Sequence, residues 1–224
     1  MIREFTANEL WFLVLAARWT IALSAIAFVG GGVGGFLVAI LRVSRARPLA
    51  WLAAAFIKIG QGTPLLMQLY LVYFGASLLR VTSDAWTAAA LGLTLYASAF
   101  LGEIWRGSIQ AVPREQWEAA RALALGYPAQ LRWVVLPQAA RIALPPTVGF
   151  LVQLLKGTSL ASIIGFTELT RAAQIVNNAT FRPLLVYAAV AAIYFILCWP
   201  LSVLSDYLER RLEHAGARTI AFQI

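Results

Sequence analysis

Charge is scarce in this sequence. Only 12% of its 224 residues are Asp, Glu, Lys or Arg, whereas 61% are hydrophobic and the mean hydropathy is +0.75. Soluble domains carry about 25% charged residues. Half that supply does not cover a water-exposed surface, so the expected solvent is the bilayer. Cysteine occurs once, as Cys198 in an apolar run, and histidine once, as His214. A lone cysteine excludes an intrachain disulfide, and Cys198 reads as a small lipid- or core-facing residue. His214 reads as a solvated tail residue, and no metal site is expected because no Cys or second His accompanies it. The chain contains no Walker motif, no G-x-S-x-G and no His/Cys cluster, so no chemistry of its own is expected. The N-terminal stretch MIREFTANELW carries acids and no A-x-A site, so no cleaved signal peptide is expected. The net charge is +8 and the pI near 10.3. These basic residues are scattered between apolar runs, which speaks against a nucleic-acid partner.

What is present is long charge-free runs. Residues 20–41, 59–79, 85–102 and 183–205 contain no charged side chain, and 142–167 contains only Lys156. A membrane helix needs about 20 such residues. The runs are continuous rather than alternating, which selects helices over barrel strands. The expected fold is therefore all-α, with about five transmembrane helices. Residues 1–224 are expected to form one membrane domain, with a polar loop at about 107–141. An odd number of spans places the termini on opposite sides. One set of loops holds Arg42, Arg45 and Arg47, then Arg106, Arg114, Arg121, Arg132 and Arg141, then Arg210, Arg211 and Arg218. The other holds Arg3, Arg18, Arg80, Arg171 and Arg182. The positive-inside rule makes the arginine-rich side cytoplasmic, the N-terminus outside and the C-terminus inside. Gly30, Gly31, Gly32, Gly34 and Gly35 in the first run suit close helix packing, with a ligand approach as the alternative.

The polar loop has helix punctuation. Pro113 suits a first helical position, and Glu115 and Glu118 follow where the helix dipole favours acids. The alanine-rich EAARALAL propagates a helix, and Gly126 is expected to end it in the left-handed conformation. Pro128 is expected to restart a second short helix and Pro137 to bend the chain back toward the membrane. Trp117, Ala120 and Ala124 are expected on one small-residue face, with Glu118 and Arg121 beside it. Such a knob suits docking into a groove of a partner, where a solvated loop would need no punctuation.

The stretch EAARALALGYPAQLRWVVLP, residues 118–137, resembles the coupling motif of ABC importer permeases, E-A-A-x3-G-x9-I-x-L-P. The motif's Gly falls on Ala124 and its Ile on Val134, with Leu136 and Pro137 matching its end; Gly126 lies two residues beyond the expected glycine. GQGTPLLMQLYLVYFG (60–75), EIWRGSIQAVP (103–113), LLKGTSLASIIGFTELTRAAQ (154–174) and LSVLSDYLERRL (201–212) resemble, in order, segments of the polar amino-acid uptake branch, the histidine and glutamine permease-like proteins. The resemblance covers about residues 15–212. It implies a type I ABC importer permease in the inner (plasma) membrane, paired with itself or a paralogue. Two ABC ATPase subunits would bind beneath, and an extracellular or periplasmic binding protein would deliver the amino acid. ATP would be bound by the partner, so no cofactor is expected in this chain. Glu118, Ala119, Ala120, Arg121, Ala124, Gly126 and Pro137 would form the ATPase-coupling segment, with Glu118 at the contact.

The substrate path is expected among polar side chains of the spans. Gln61, Thr63 and Gln68 in the second span either line it or bond within the bundle. Gln153, Thr158, Ser159 and Ser162 cluster around Lys156 in the fourth. Counting from Pro146 places Lys156 roughly 15 Å into the membrane, near the midplane. A lysine there either holds the spans in register or meets a substrate carboxylate. The branch often has Asp after Lys156, and Gly157 is expected to leave room. Glu103 and Arg106, three apart on a helix, read as a structural ion pair. Glu168, with Thr167 and Thr170 on the outer side, either contacts the binding protein or caps a helix.

Overall fold

The computed structural model describes residues 4–78 and 84–221. Arg3, Leu79 and Arg80 lie outside the described residues, as do the side chains of His214 and Arg218. The described residues are helical, with no strand among them.

Helix α1 spans Ala7–Val43, thirteen residues earlier than the charge-free run suggested. Thr6 caps it through a capping box with Glu9. Arg18, which bounded the run, is accommodated with its guanidinium 5.2 Å from the Trp19 ring. At 37 residues the helix is about 55 Å long, more than a hydrocarbon core requires.

Helix α4 spans Ala85–Gln110 and packs along α1. The glycines explain the closeness of this pair. A Cβ at Gly31 would stand 2.3 Å from the Ala97 Cβ, and one at Gly34 2.4 Å from the Ser98 Oγ. Only hydrogen fits, so the two backbones approach through a small-residue seam. Leu23, Ala27, Leu93, Ala97 and Leu101 continue this seam as core. Gly32 points to open space.

The second expected span is not one straight helix. Helices α2, Arg47–Gly62, and α3, Leu65–Leu78, meet at a 106° bend. Pro64 has no N–H to continue the ladder and forces Thr63 into extended backbone (φ −113°, ψ 137°). Carbonyls freed at the break are taken by Gln68, whose Nε2 donates to Gly60 O at 2.7 Å, Thr63 O at 3.1 Å and Thr63 Oγ1 at 2.9 Å.

After α4 comes α5, Arg114–Ala122, and then a short α6, Tyr127–Ala129. Gln130–Val135 forms a π-helical turn and runs straight on into α7, Leu136–Gly157. Pro137 therefore does not bend the chain back as expected. It sits in the first turn of α7, and the wide π turn before it absorbs its missing donor. Pro145 and Pro146 also lie inside α7, where Ser205 Oγ donates to Pro145 O at 2.9 Å.

The fourth expected span changes character at its end. Beyond Gly157 the chain tightens into a 3-10 stretch, Thr158–Ile164, closed by Gly165 at φ 90°. Helix α8, Leu169–Thr180, and helix α9, Pro183–Ala221, complete the described chain. By length and composition, four helical stretches among the described residues can cross a membrane, or five if the bent α2–α3 pair forms one span. Large apolar side chains such as Trp11, Trp51 and Leu184 are 62%, 74% and 88% exposed. Lipid is the solvent that suits that surface.

Candidate functional site

The polar insert is a rigid knob. Buried Ile109, Val112, Leu131, Val135 and Ala139 form its foundation, with Trp117 packed against them. The α5 helix ends in a pair of bonds, Ala124 N–H to Arg121 O at 2.9 Å and Leu125 N–H to Ala120 O at 3.2 Å. That Schellman pattern requires a left-handed residue at its turn. The residue is Ala124, at φ 55°, and not Gly126, which is extended at φ −67°, ψ 157°. The expected cap is thus displaced by two residues, onto the position where the importer motif has its glycine. Gly126 instead precedes α6, and Gln130, 4% exposed, returns its Nε2 to Leu125 O at 2.6 Å.

The expected docking face is also rearranged. Ala120 is buried and Trp117 half-buried against the knob's own foundation, so these two do not share an outward face with Ala124. The outward surface is Glu118, Ala119, Arg121 and Ala124, joined by Leu123 at 75% exposure.

Tyr127 ties this knob to the end of α1, a role that composition did not reveal. Its hydroxyl donates to Val43 O at 2.5 Å, its ring stacks on Trp117 at 6.2 Å between centroids, and the Arg45 guanidinium lies 4.7 Å from its centroid. An aromatic held between Gly126 and Pro128 was the available signal. Arg45, Arg114, Trp117, Glu118, Arg121, Tyr127 and Gln130 enclose a cleft of about 420 Å³.

The expected path residues divide into two groups. Around the α2–α3 break, Gln61 is exposed, whereas the Thr63 hydroxyl and the Gln68 amide nitrogen are spent on the break itself, Thr63 Oγ1 donating to Ile59 O at 2.8 Å. Gln61 lines two adjoining clefts of about 360 and 350 Å³. Glu103 and Arg106 line both clefts as well, and they form the expected ion pair, with Arg106 Nε 2.8 Å from Glu103 Oε2. Arg106 also reaches Gln110.

At the end of α7, Lys156 is exposed in the last helical turn, twenty residues beyond Leu136. It thus sits beside the change to 3-10 helix and not in mid-helix. The negative end of the helix dipole favours a cation there. Gly157 does not leave a void, because an added Cβ would stand 3.0 Å from Leu65 Cδ2. The exposed Gln153 donates to Tyr96 Oη at 3.1 Å. Thr158, Ser159 and Ser162 donate to the carbonyls three residues back, Leu155, Lys156 and Ser159, at 2.7–2.8 Å. These bonds match the three-residue period of the segment, and Thr158 and Ser162 are buried.

Glu168 is fully buried, so of its two expected roles the structure holds the capping one. Its Oε1 accepts from Arg171 N–H at 2.9 Å at the start of α8, and its Oε2 accepts from the Tyr194 hydroxyl at 3.1 Å and the Thr20 hydroxyl at 3.5 Å. Thr20 Oγ1 in turn accepts from Leu169 N–H at 3.2 Å. One carboxyl therefore joins α1, α8 and α9. Burial pushes it above the usual carboxylate range, against the opposing pull of the Thr170 and Arg171 amides.

Comparison with known proteins gives consistent matches. The chain is 34% identical over 203 residues to the probable amino-acid ABC transporter permease protein YckA of Bacillus subtilis, covering 91% of this chain and 90% of that one. It is 35% identical over 218 residues to the L-cystine transport system permease protein TcyB of the same organism, covering 93% of each. Among solved structures, the "Crystal structure of an amino acid ABC transporter with histidines" matches with a TM-score of 0.86 at 34% identity, covering 94% of this chain and all of that one. An inward-facing MetNI methionine ABC transporter matches at TM-score 0.74 and 20% identity, a likeness of fold alone. Residues 31–214 match the family described as binding-protein-dependent transport system inner membrane component, and the chain belongs to that family.

Proposed function

We propose that this chain is the permease subunit of an ATP-driven importer for polar amino acids, working as a single membrane domain over residues 1–224. It pairs with a second permease, itself or a paralogue, and takes its substrate from an extracellular or periplasmic binding protein. The N-terminus lies outside and the C-terminus in the cytoplasm, which the arginine distribution supports. It performs no chemistry and holds no cofactor; ATP is bound and hydrolysed by partner ATPase subunits, and lipid covers the outer helix faces.

The observation that carries this reading is the α5 knob. Glu118, Ala119 and Arg121 stand exposed on a short helix that is locked from behind by Trp117, Ala120 and Tyr127. A helix held this rigidly transmits a push from a docked partner instead of yielding to it. Its link to Val43 carries that push into α1, and the glycine seam carries it on into α4. Rocking of packed helices then exposes the path alternately to each side.

The test is reconstitution of the permease with its ATPase and binding protein, followed by ATP-dependent amino-acid uptake. Glu118→Lys should leave the permease folded and lose ATPase co-purification and uptake, since reversing a charge at a contact typically costs a few kcal/mol. Normal co-purification and uptake in that variant would refute the coupling role.

A further inference from the structure

The two clefts that meet at Gln61, Glu103 and Arg106 carry an unbalanced charge. Arg106 is paired with Glu103. Arg42, at the end of α1, and Lys58, on α2, line the second cleft with no ion-pair or hydrogen-bond partner among the described residues. Three cations against one carboxylate give this junction a net charge of +2. The Glu103–Arg106 pair is partly withdrawn from solvent, with side chains 35% and 20% exposed, so its field is screened less than that of a free surface pair. Each cleft is of the size that holds small molecules. Apolar walls from Phe100, Ile104 and Ile142 line one side, and the exposed Gln61 amide offers both a donor and an acceptor.

We infer that this junction is a transit site that receives the substrate's carboxylate, and that its net positive charge admits neutral and acidic amino acids while disfavouring cationic ones. The inference rests on the amino-acid importer reading and adds to it the substrate's charge class. Glu103 is engaged by Arg106 through both of its oxygens, so the α-carboxylate of a neutral amino acid is what Arg42 and Lys58 are left to meet. A second carboxylate on the side chain gains from the two unpaired cations, whereas a side-chain ammonium or guanidinium meets them as like charges. The shared ligand chemistry is an oxyanion, and a lipid phosphate offers the same group.

The experiment uses the complete permease–ATPase complex in neutral-lipid nanodiscs without binding protein, probed with radiolabelled L-glutamate, L-glutamine and L-lysine. Glutamate and glutamine should bind and lysine should bind at least about tenfold more weakly, a difference of ~1.4 kcal/mol. Lys58→Gln should weaken glutamate binding several-fold and narrow the gap to lysine, with ATPase co-purification as the folding control. Arg42→Gln gives the same test at a second position. Equal binding of lysine and glutamate, no binding of any probe, or unchanged order in both variants overturns the inference. It is overturned equally if the variants alter only the response to added phosphatidylglycerol, which assigns the cluster to lipid. ATP-dependent uptake by the full system separates the two levels. Uptake of amino acids without charge discrimination removes the transit site and leaves the importer reading standing; absence of uptake of any amino acid removes both.

Discussion

Ala124→Gly should stabilise the knob, although it places the poorest non-proline helix former at the end of an alanine-rich helix. Ala124 holds φ 55°. The left-handed conformation costs a non-glycine residue roughly 1–2 kcal/mol. Glycine removes that cost but gives the unfolded chain more freedom, an opposing effect of about 0.4–1 kcal/mol. The Ala124 side chain is exposed, so losing its methyl forfeits little burial. The difference is a gain of about 0.5–1 kcal/mol. The turn is local, so the appropriate assay is hydrogen exchange of the Ala124 and Leu125 amides, the donors to Arg121 O and Ala120 O. Both should exchange roughly two- to fivefold more slowly in the variant. Gly126→Ala is the companion: at φ −67° and with nothing within 4 Å of an added Cβ, it should be tolerated. Faster exchange in Ala124→Gly, or destabilisation by Gly126→Ala, would refute the assignment of the left-handed residue.

Two further expectations follow from packing and burial. Gly31→Ala would set a methyl 2.3 Å from the Ala97 Cβ and force α1 away from α4, an overpacking cost of about 1–3 kcal/mol, whereas Gly32→Ala meets open space. Melting in detergent should separate the two variants, and equal melting temperatures would deny the close seam. Glu168 has a folded pKa raised above its ordinary 4.5. The contribution of such a group is fully present below that ordinary value and is lost as pH rises through the folded value. The stability that wild type holds over Glu168→Gln should therefore shrink as pH is raised from about 4.5, read as the difference between their melting temperatures; a difference that does not change with pH would show that Glu168 does not contribute this way.

The sequence alone determined the solvent of this protein and the existence of its knob. Too few charges to cover a water-exposed surface and several charge-free runs leave lipid-embedded helices as the available solution, because backbone groups in lipid must be satisfied internally. Proline and alanine spacing marked a helix from Pro113 to about Gly126, of which the structure forms Arg114–Ala122 with Pro113 as its N-cap, and the three-residue spacing of Glu103 and Arg106 marked their ion pair. All of these are local or compositional properties, so they can be read without knowing what packs against what. Tertiary structure decided the rest. The charge-free run did not register the break at Thr63–Pro64, because no charged side chain interrupts residues 59–79 and the compensating donor, Gln68, acts through space. Helical periodicity placed Trp117 and Ala120 on one face but could not say that this face turns inward onto Val135 and Tyr127. A carboxylate reads as exposed until its donors are seen; those of Glu168 come from residues 148 and 26 positions away as well as from its own helix. The left-handed turn fell on an alanine two residues before the glycine expected to take it, because the bonds to Ala120 and Arg121 are set by where α5 ends against its foundation and not by which residue bends most easily.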